Sequence, residues 1–184
     1  MNELRIVIVS EDELNEEQKS CIDRLEKQCF SDVDPEEADC FYVESFARVL
    51  AYANREIVGH LQLKKRNVEF DGRMVLLGGT AGVCVAEHIR RKGIATELMK
   101  TGLKVLKEEG CDVACLNADL SKDVYRFFYE KLGFRLMKRK ISFEDAQGKI
   151  RYDDGTMFIP LNSKETYNHL MTSKKTFHYG KGYW

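Results

Sequence analysis

The sequence has little of what usually divides a chain into separate units. Only two of its 184 residues are proline, and it contains no low-complexity tract and no repeat with the period of a solenoid protein. A chain of 184 residues with 43% hydrophobic residues can bury one sizeable core and is short for two. We therefore expect a single domain over residues 1–184.

An excess of charge of one sign is also missing. The chain carries 29 basic and 30 acidic residues, for a formal net charge of -1, so a general electrostatic attraction to nucleic acid or to a membrane is not expected. The first ten residues form a short strand-like run that includes Glu3 and Arg5, which resembles neither a secretory signal nor a membrane span. The default expectation is a cytoplasmic protein.

The six cysteines form no C-x-x-C pair. Several of them stand inside apolar stretches, where a reduced thiol packs as a small hydrophobic group. The sequence therefore predicts no structural zinc site, and no metal is expected as a cofactor.

The apolar pattern predicts a strand at 4–9, a helix at 16–30 and an acidic loop at 31–39. Three closely spaced strands, separated by turn residues at 54–56 and at Asp71-Gly72, then indicate an antiparallel meander. Alternating helix and strand indicates a right-handed parallel crossover. The predicted fold class is α/β (α+β), with a mixed, mostly antiparallel sheet of about seven strands and flanking helices. The elements predicted after the loop are strands at 49–53, 57–63, 74–85, 113–117, 134–143 and 155–161, and helices at 93–109 and 122–132.

The most informative segment joins the strand ending at Val85 to the helix that begins at Gly93. A helix N-terminus offers unpaired backbone N–H groups and the positive end of the helix dipole. Gly93 and Ala95 have no bulk that would keep a diphosphate from these amides, and residues 90–92 add three positive charges. The spacing fits neither a Rossmann fingerprint nor a P-loop. Taken alone, the segment is also compatible with an ordinary amphipathic helix that has a basic start.

Arg90-x-x-Gly93-x-Ala95 after a Val-x-Val strand resembles the acetyl-CoA motif of the GNAT superfamily of N-acetyltransferases. The resemblance implies that the amides of residues 92–96 hold the pyrophosphate of acetyl-CoA and that the pantetheine arm pairs with the strand at 83–85. A backbone N–H near Val85 would then stabilise the oxyanion that forms during acetyl transfer. The candidate cofactor-binding residues are Val83, Cys84, Val85, Arg90, Arg91, Lys92, Gly93, Ile94, Ala95, Thr96 and Asn117.

A second stretch, at 123–134, resembles the superfamily's helix that ends in Tyr-x-x-x-Gly-Phe. In the family this tyrosine points at the sulfur of coenzyme A, so the role falls on Tyr129. A phenol is neutral at pH 7 and can donate its proton to the departing thiolate. The alternative is that Tyr129 is one aromatic residue of a core stripe, and Phe127 and Phe128 are interpreted as packing residues.

From about residue 28 onward, the chain resembles the aminoglycoside 2′-N-acetyltransferases in the order and spacing of short motifs, which include Asp153-Asp154-Gly155 and a Gly-Tyr-Trp end. The resemblance implies a cationic small-molecule acceptor bound by Asp39, Asp153, Asp154 and Trp184 with its carboxylate. Several ammonium groups on a sugar require anionic partners. The alternatives are a hairpin turn at 153–155, a loop anion at Asp39 and a frayed tail at Trp184.

One position departs from this resemblance. The aminoglycoside enzymes place an acidic residue just before Gly-Val-x-Val, and this chain has Ala81 there. Ala81 cannot take a proton from an acceptor ammonium, so another group acts, the acceptor amine has a low pKa, or the substrate differs. Glu87 and His60 are candidate bases, although Glu87 is preferred as an exposed turn residue, and His60 and His88 as structural histidines with their hydrogen bonds satisfied.

The expected reaction is direct transfer of the acetyl group in a ternary complex. A relay through Cys84 is disfavoured, because strand alternation buries its side chain and no neighbour in the sequence lowers its pKa. Two competing hypotheses remain: a GNAT enzyme for another small-molecule or peptide amine, and a catalytically weak module that binds coenzyme A or an aminosugar. A homodimer is expected only by analogy with the superfamily.

Overall fold

The computed structural model describes residues 4–31 and 43–184. These residues form ten strands in two sheets, four α-helices and two short 3-10 turns at Glu11–Glu13 and Glu87–Ile89. The strands are β1 (Leu4–Ser10), β2 (Ala47–Ala53), β3 (Glu56–Phe70), β4 (Arg73–Val85), β5 (Val113–Asn117), β6 (Arg135–Leu136), β7 (Ile141–Glu144), β8 (Ile150–Asp153), β9 (Thr156–Pro160) and β10 (Phe177–Lys181). The helices are α1 (Glu16–Cys29), α2 (Ile94–Glu108), α3 (Asp123–Lys131) and α4 (Lys164–Thr172).

Seven strands form the large sheet, in the order β1-β2-β3-β4-β5-β9-β6. Its pairs are antiparallel except for β4 with β5, which are parallel and joined through α2. The predicted mixed, mostly antiparallel sheet, the meander and the parallel crossover are therefore confirmed. Asp71 and Gly72 both have positive φ, at 54° and 75°, which a tight turn between two antiparallel strands requires. This turn was also predicted from the sequence.

Helix α2 covers one face of the large sheet and α1 packs against the other. Leu98, Met99 and Leu106 of α2 are fully buried against the sheet. Gly102 lets this helix approach closely, because a Cβ atom there would lie 2.5 Å from a methyl group of Leu61. Helix α1 begins with a capping box between Asn15 and Gln18 and buries Ile22 and Leu25. Both helices therefore bury the apolar stripe that the sequence predicts.

A second, three-stranded sheet (β10-β7-β8) and helix α4 were not predicted. The prediction of one strand at 134–143 is wrong, because this stretch divides into β6 of the large sheet and β7 of the small sheet. The chain bends between them at Lys138–Lys140, where the Arg139 guanidinium donates hydrogen bonds to the Leu170 and Lys175 carbonyls. Strand β3 also runs seven residues beyond the predicted end at residue 63. Among the described helices, none has the length and apolarity needed to cross a membrane.

Candidate functional site

Strands β4 and β5 separate partway along their length. Their parallel pairing covers only residues 77–79 with 113–115, and β5 continues by pairing with β9 on its other side. Beyond Gly79, no described strand pairs with β4 on the side that faces β5. The pairing of β3 with β4 is irregular between His60 and Gln62, opposite Gly82, which has a φ of 58°. This bulge lies where the two strands have parted, so residues 81–85 of β4 present an open edge.

The N-terminus of α2 follows this open edge in the chain. Gly93 has a φ of 82° and no side chain caps the helix. The first hydrogen bond within the helix joins the Glu97 N–H to the Gly93 carbonyl. The amides of residues 94–96 therefore have no hydrogen-bond partner within the described residues. A Cβ atom at Gly93 would meet nothing within 4 Å. The open space and the unpaired amides together meet the requirements for binding a diphosphate.

The three basic residues before Gly93 differ in their surroundings. Arg90 folds back on β4, where its Nε donates to the Val85 carbonyl at 2.9 Å and its Nη2 lies 3.5 Å from Cys29 Sγ. Arg91 and Lys92 are exposed. Arg91 has a φ of 61°, which is uncommon for a residue with a side chain. All three residues are exposed beside the helix N-terminus, but Arg90 is also bonded to the end of β4.

Cys84 is buried on the strand that carries the open edge. Its side chain is 4% exposed, and burial, together with the neighbouring Cys29 and Glu26, raises the pKa of its thiol well above the usual value. A thiol of this kind remains protonated at neutral pH and is a poor nucleophile. The structure thus agrees with the sequence interpretation that disfavours an acetyl-cysteine relay.

Tyr129 lies in α3, with its ring 5.1 Å from that of Phe128 and 6.1 Å from that of Phe134, measured between centroids. Burial raises the pKa of Tyr129 to about 12, so the phenol is protonated at neutral pH. No described residue forms a hydrogen bond with its hydroxyl group. The interpretation of Phe127 as a packing residue is wrong, because 59% of it is exposed; Phe128 does pack against the core.

Two of the residues proposed to bind the acceptor already have partners inside the protein. Asp153 accepts hydrogen bonds from the Gly155 amide at 2.6 Å and from the Tyr183 hydroxyl at 2.5 Å. The Trp184 indole is buried against Gly79, with only 5% of the residue exposed, so it is not on a frayed tail. Asp154 is exposed. Asp39 lies outside the described residues.

Asn117 is also engaged within the fold. Its Nδ2 donates to the Trp184 carbonyl at 3.3 Å, and its Oδ1 accepts from the Thr156 hydroxyl at 2.7 Å. Asn117 therefore connects the end of β5 to β9 and to the Trp184 backbone. Residues 153–155 connect the two sheets, since β8 belongs to the small sheet and β9 to the large one, so the alternative of a simple hairpin turn does not hold.

The candidate bases have different surroundings. Glu87 and His88 are exposed in a 3-10 turn after β4. His60 is completely buried, and its Nε2 lies 3.2 Å from Glu26 Oε1. The ring N–H is not aligned for a hydrogen bond with this oxygen, so the contact is electrostatic. The exposure of Glu87 agrees with its interpretation as a turn residue, and the burial of His60 agrees with a structural role. His88 is exposed and is therefore not the packed structural histidine that was expected. None of these positions tests catalysis.

Glu26 of α1 was not identified from the sequence. Its Oε1 contacts Arg48 Nη1 at 3.2 Å and Gln62 Nε2 at 2.9 Å, in addition to His60. Burial opposes ionisation of Glu26, but His60, Gln62 and Arg48 outweigh it and lower its pKa to about 2. The available signal was an acidic residue directly after Leu25 on the apolar stripe of a helix. Its partners come from other elements and were not evident from sequence.

Comparison with known proteins shows which family the chain belongs to. Curated relatives include N-alpha-acetyltransferase MAK3 of Arabidopsis thaliana, 32% identical over 90 residues that cover 49% of this chain and 45% of that protein. N-alpha-acetyltransferase 30 of Xenopus laevis is 32% identical over 90 residues, or 49% of this chain and 32% of that protein. The matched segments thus span less than half the length of these relatives.

Solved structures share the fold at lower identity. The NatC complex bound to Gag peptide and CoA contains a chain with a TM-score of 0.59 and 19% identity, covering 85% of this chain and 99% of that one. ElaA of Escherichia coli has a TM-score of 0.57 and 18% identity, and the match covers 85% of this chain and 99% of that one. Eis1 of Mycobacterium abscessus has a TM-score of 0.58 and 17% identity, and the match covers 76% of this chain and 33% of that one. The family model for the acetyltransferase (GNAT) domain matches residues 12–137, about two thirds of the sequence, and the chain therefore belongs to the GNAT acetyltransferase family.

Proposed function

We propose that this chain transfers the acetyl group of acetyl-CoA to the α-amino group of a peptide, by direct attack in a ternary complex. The observation that carries the transferase assignment is the uncapped N-terminus of α2 next to the open edge of β4. The helix N-terminus suits a diphosphate, and the adjacent strand edge suits an extended arm joined to that diphosphate. Membership of the GNAT family supports the same assignment.

The backbone supplies most of the proposed cofactor contacts. The amides of residues 92–96 hold the pyrophosphate, with Arg91 and Lys92 adding positive charge. Residues 83–85 pair with the pantetheine arm as a further strand would. A backbone N–H at the bulge end of residues 83–85 donates to the thioester oxygen and stabilises the negative charge that develops there. This arm runs from the helix towards the bulge at Gly82, so the thioester end lies on the bulge side.

Tyr129 is proposed to act as the general acid. The neutral amine attacks the thioester carbonyl carbon, the carbon–sulfur bond breaks, and the thiolate takes the phenolic proton. The raised pKa of Tyr129 keeps the proton on the phenol before the reaction. The extra proton on the amine passes to solvent, the Tyr129 phenolate takes a proton back from solvent, and the products are the N-acetyl peptide and coenzyme A.

Three observations support a peptide α-amine as the acceptor. The curated relatives quoted above are N-alpha-acetyltransferases by name. An α-amino group has a pKa of about 7.7–8.0, against about 10.4 for lysine, so a far larger fraction of it is neutral at cellular pH and it depends less on a strong base at position 81. Asp153 accepts hydrogen bonds from Gly155 and Tyr183 within the fold, which leaves a polycation one carboxylate fewer.

An aminoglycoside is the second candidate acceptor. The resemblance of the Asp153-Asp154-Gly155 segment favours it, and Asp154 is exposed. Asp39, the other carboxylate in that resemblance, lies outside the described residues. The two acceptor classes differ in charge and in the pKa of the amine, so one assay separates them.

The test measures release of free thiol from acetyl-CoA with three sets of acceptors. These are peptides with a free α-amine, the same peptides with a blocked α-amine and an internal lysine, and aminoglycosides with a 2′-amino group. We expect thiol release only with the first set. Release confined to aminoglycosides would refute the peptide assignment, and binding of coenzyme A without release with any amine would refute the enzymatic role.

Cofactor binding is tested separately by calorimetry with coenzyme A. Gly93→Glu places a carboxylate and bulk in the proposed diphosphate site and is expected to abolish uptake. Gly72→Glu is a matched control, because Gly72 also has a positive φ and open space around it but lies in the turn between β3 and β4. If both variants retain uptake, or both lose it while folded, the proposed diphosphate site is wrong.

A further inference from the structure

A carboxylate from α1 reaches the region where the sequence resemblance leaves an acid missing. Ala81 pairs with Gln62 on the neighbouring strand. The Gln62 amide nitrogen donates to Glu26 Oε1 at 2.9 Å, and the same nitrogen lies 2.9 Å from where a Cβ atom of Gly82 would be. The Gln62 side chain therefore lies between the Glu26 carboxylate and the bulge of β4 and is close to both. The thioester end of the arm is proposed to lie at this bulge.

Among the described residues, contacts with Glu26 use only one of its two carboxylate oxygens. The contacts with Arg48, His60 and Gln62 are all made by Oε1. No described residue provides Oε2 with a hydrogen-bond donor, and 29% of the Glu26 side chain is exposed. A carboxylate oxygen can accept two hydrogen bonds, so Oε2 is available to a ligand.

The Glu26 carboxylate stays ionised among its neighbours. The Arg48 guanidinium bonds both Glu11 and Glu26, so it is shared between two carboxylates. Lys64 is the other nearby cation, but it is buried and donates to the Val43 carbonyl. Because neither cation contacts Oε2, this oxygen can accept a hydrogen bond from an ammonium group.

We infer that Glu26 is an acceptor-binding residue whose Oε2 accepts a hydrogen bond from the amine of the acceptor beside the thioester. It thus provides from α1 the carboxylate that Ala81 cannot provide from β4. This inference rests on the proposed function, and Glu26 serves here to bind and orient the amine. Because Glu26 stays ionised above about pH 2, it is too weak a base to be the proton acceptor for the amine.

The first test compares steady-state kinetics of Glu26→Gln and Glu17→Gln with a peptide that the wild-type chain acetylates. Glu17 is exposed near the start of the same helix, so its variant makes the same chemical change away from the bulge. We expect Glu26→Gln to raise the KM for peptide by about tenfold to a hundredfold, the range of a hydrogen bond to a charged group, and to leave the KM for acetyl-CoA unchanged. A folded Glu26→Gln protein with unchanged peptide KM would overturn the inference.

A second readout is the pH dependence of kcat, which a purely structural role would not move. A carboxylate beside the bound ammonium raises the pKa of that ammonium. The apparent pKa in the wild-type profile of kcat should therefore be higher than the pKa of the α-amine in the free peptide. In Glu26→Gln the apparent pKa should decrease towards that of the free peptide. The other titratable groups that face Glu26 are Arg48, His60, Lys64 and Cys84. Because the Glu26 charge itself acts on Lys64 and Cys84, the ionisation is assigned to the acceptor by repeating the profile with a peptide whose α-amine has a different pKa, which should move the ionisation by the same amount. An identical ionisation in both would count against the inference.

A binding measurement keeps the inference testable if Glu26→Gln does not fold. In the presence of coenzyme A, the wild-type chain should bind a peptide with an α-amine at least about tenfold more tightly than the analogue with an α-hydroxyl group. Equal affinities would overturn the inference. Failure of the proposed function looks different: the wild-type chain would then acetylate no peptide, and the Glu26 comparison would be repeated with whichever amine it does acetylate.

Discussion

The contact between Gly79 and Trp184 gives the sharpest stability prediction. Gly79 is the last residue of β4 that pairs with β5. A Cβ atom there would lie 1.6 Å from Cε3 and 1.8 Å from Cζ3 of the indole, a distance that no small adjustment can relieve. Gly79→Ala must therefore displace the indole from its buried position. The expected loss is that of deleting a buried tryptophan, about 3–5 kcal/mol in the free energy of unfolding, or on the order of 10 °C in Tm for a chain of this size.

Urea unfolding of four proteins measures this effect: wild type, Gly79→Ala, Trp184→Ala and the double variant. Once the indole is absent, the added methyl group has no clash, so Gly79→Ala should cost roughly 0 kcal/mol in the Trp184→Ala background. Gly78→Ala is the control on the opposite face of the same strand. Its Cβ atom would lie 3.1 Å from Cys111 Sγ and 3.2 Å from the Leu106 methyl groups, which can move slightly, so about 1 kcal/mol is expected. Additive losses in the double variant would refute the reasoning.

Three further outcomes are expected. Tyr129→Phe should lower kcat by about 10²–10⁴-fold with an unchanged KM for acetyl-CoA, whereas Tyr125→Phe, on the same helix, should change neither; an equal loss of kcat and cofactor affinity would contradict the role of the phenol. Cys84→Ser should retain turnover within a few-fold and form no acetyl-enzyme that mass spectrometry can detect, and a large loss in a folded variant would reopen the relay. Because the pKa of Glu26 falls from 4.5 to about 2 on folding, its contribution to stability, at most about 3 kcal/mol, should be complete above pH 4.5 and disappear as the pH falls towards 2. Urea midpoints of wild type and Glu26→Gln would show this as a steeper pH slope in that window in the wild type than in the variant, since Asp71, Asp119 and Asp145, whose pKa values are also lowered, are common to both proteins.

The predictions that succeeded depend on neighbours in the chain. The strand ending at Val85, the helix beginning beside Gly93 and the Asp71-Gly72 turn each follow from spacing or from a local preference for positive φ. The fold class and the geometry required for a diphosphate site could therefore be derived from the sequence. The likeness to a known superfamily added the connection between these elements and acetyl-CoA.

The features that were missed depend on residues far apart in the chain. Strand β10 pairs with β7 across more than thirty residues, and a five-residue strand has too short a pattern to be recognised by itself. The burial of Trp184 depends on the glycine at position 79, and nothing local at either position indicates the other. Glu26 is likewise defined by Arg48 and Gln62, which reach it from two different strands. Tertiary contacts of this kind leave no periodic signal in the sequence.

The open edge of β4 has a consequence for how this protein tolerates change. Where a bound molecule is recognised by main-chain atoms, any side chain that keeps the strand extended will serve, so substitutions should accumulate freely at positions 83 and 85 if their size and apolarity are maintained. The constraint moves instead to the residues that shape the strand, Gly79 beneath the indole and Gly82 at the bulge. Variation among natural or laboratory variants should therefore be lowest at two glycines that need not touch the ligand at all.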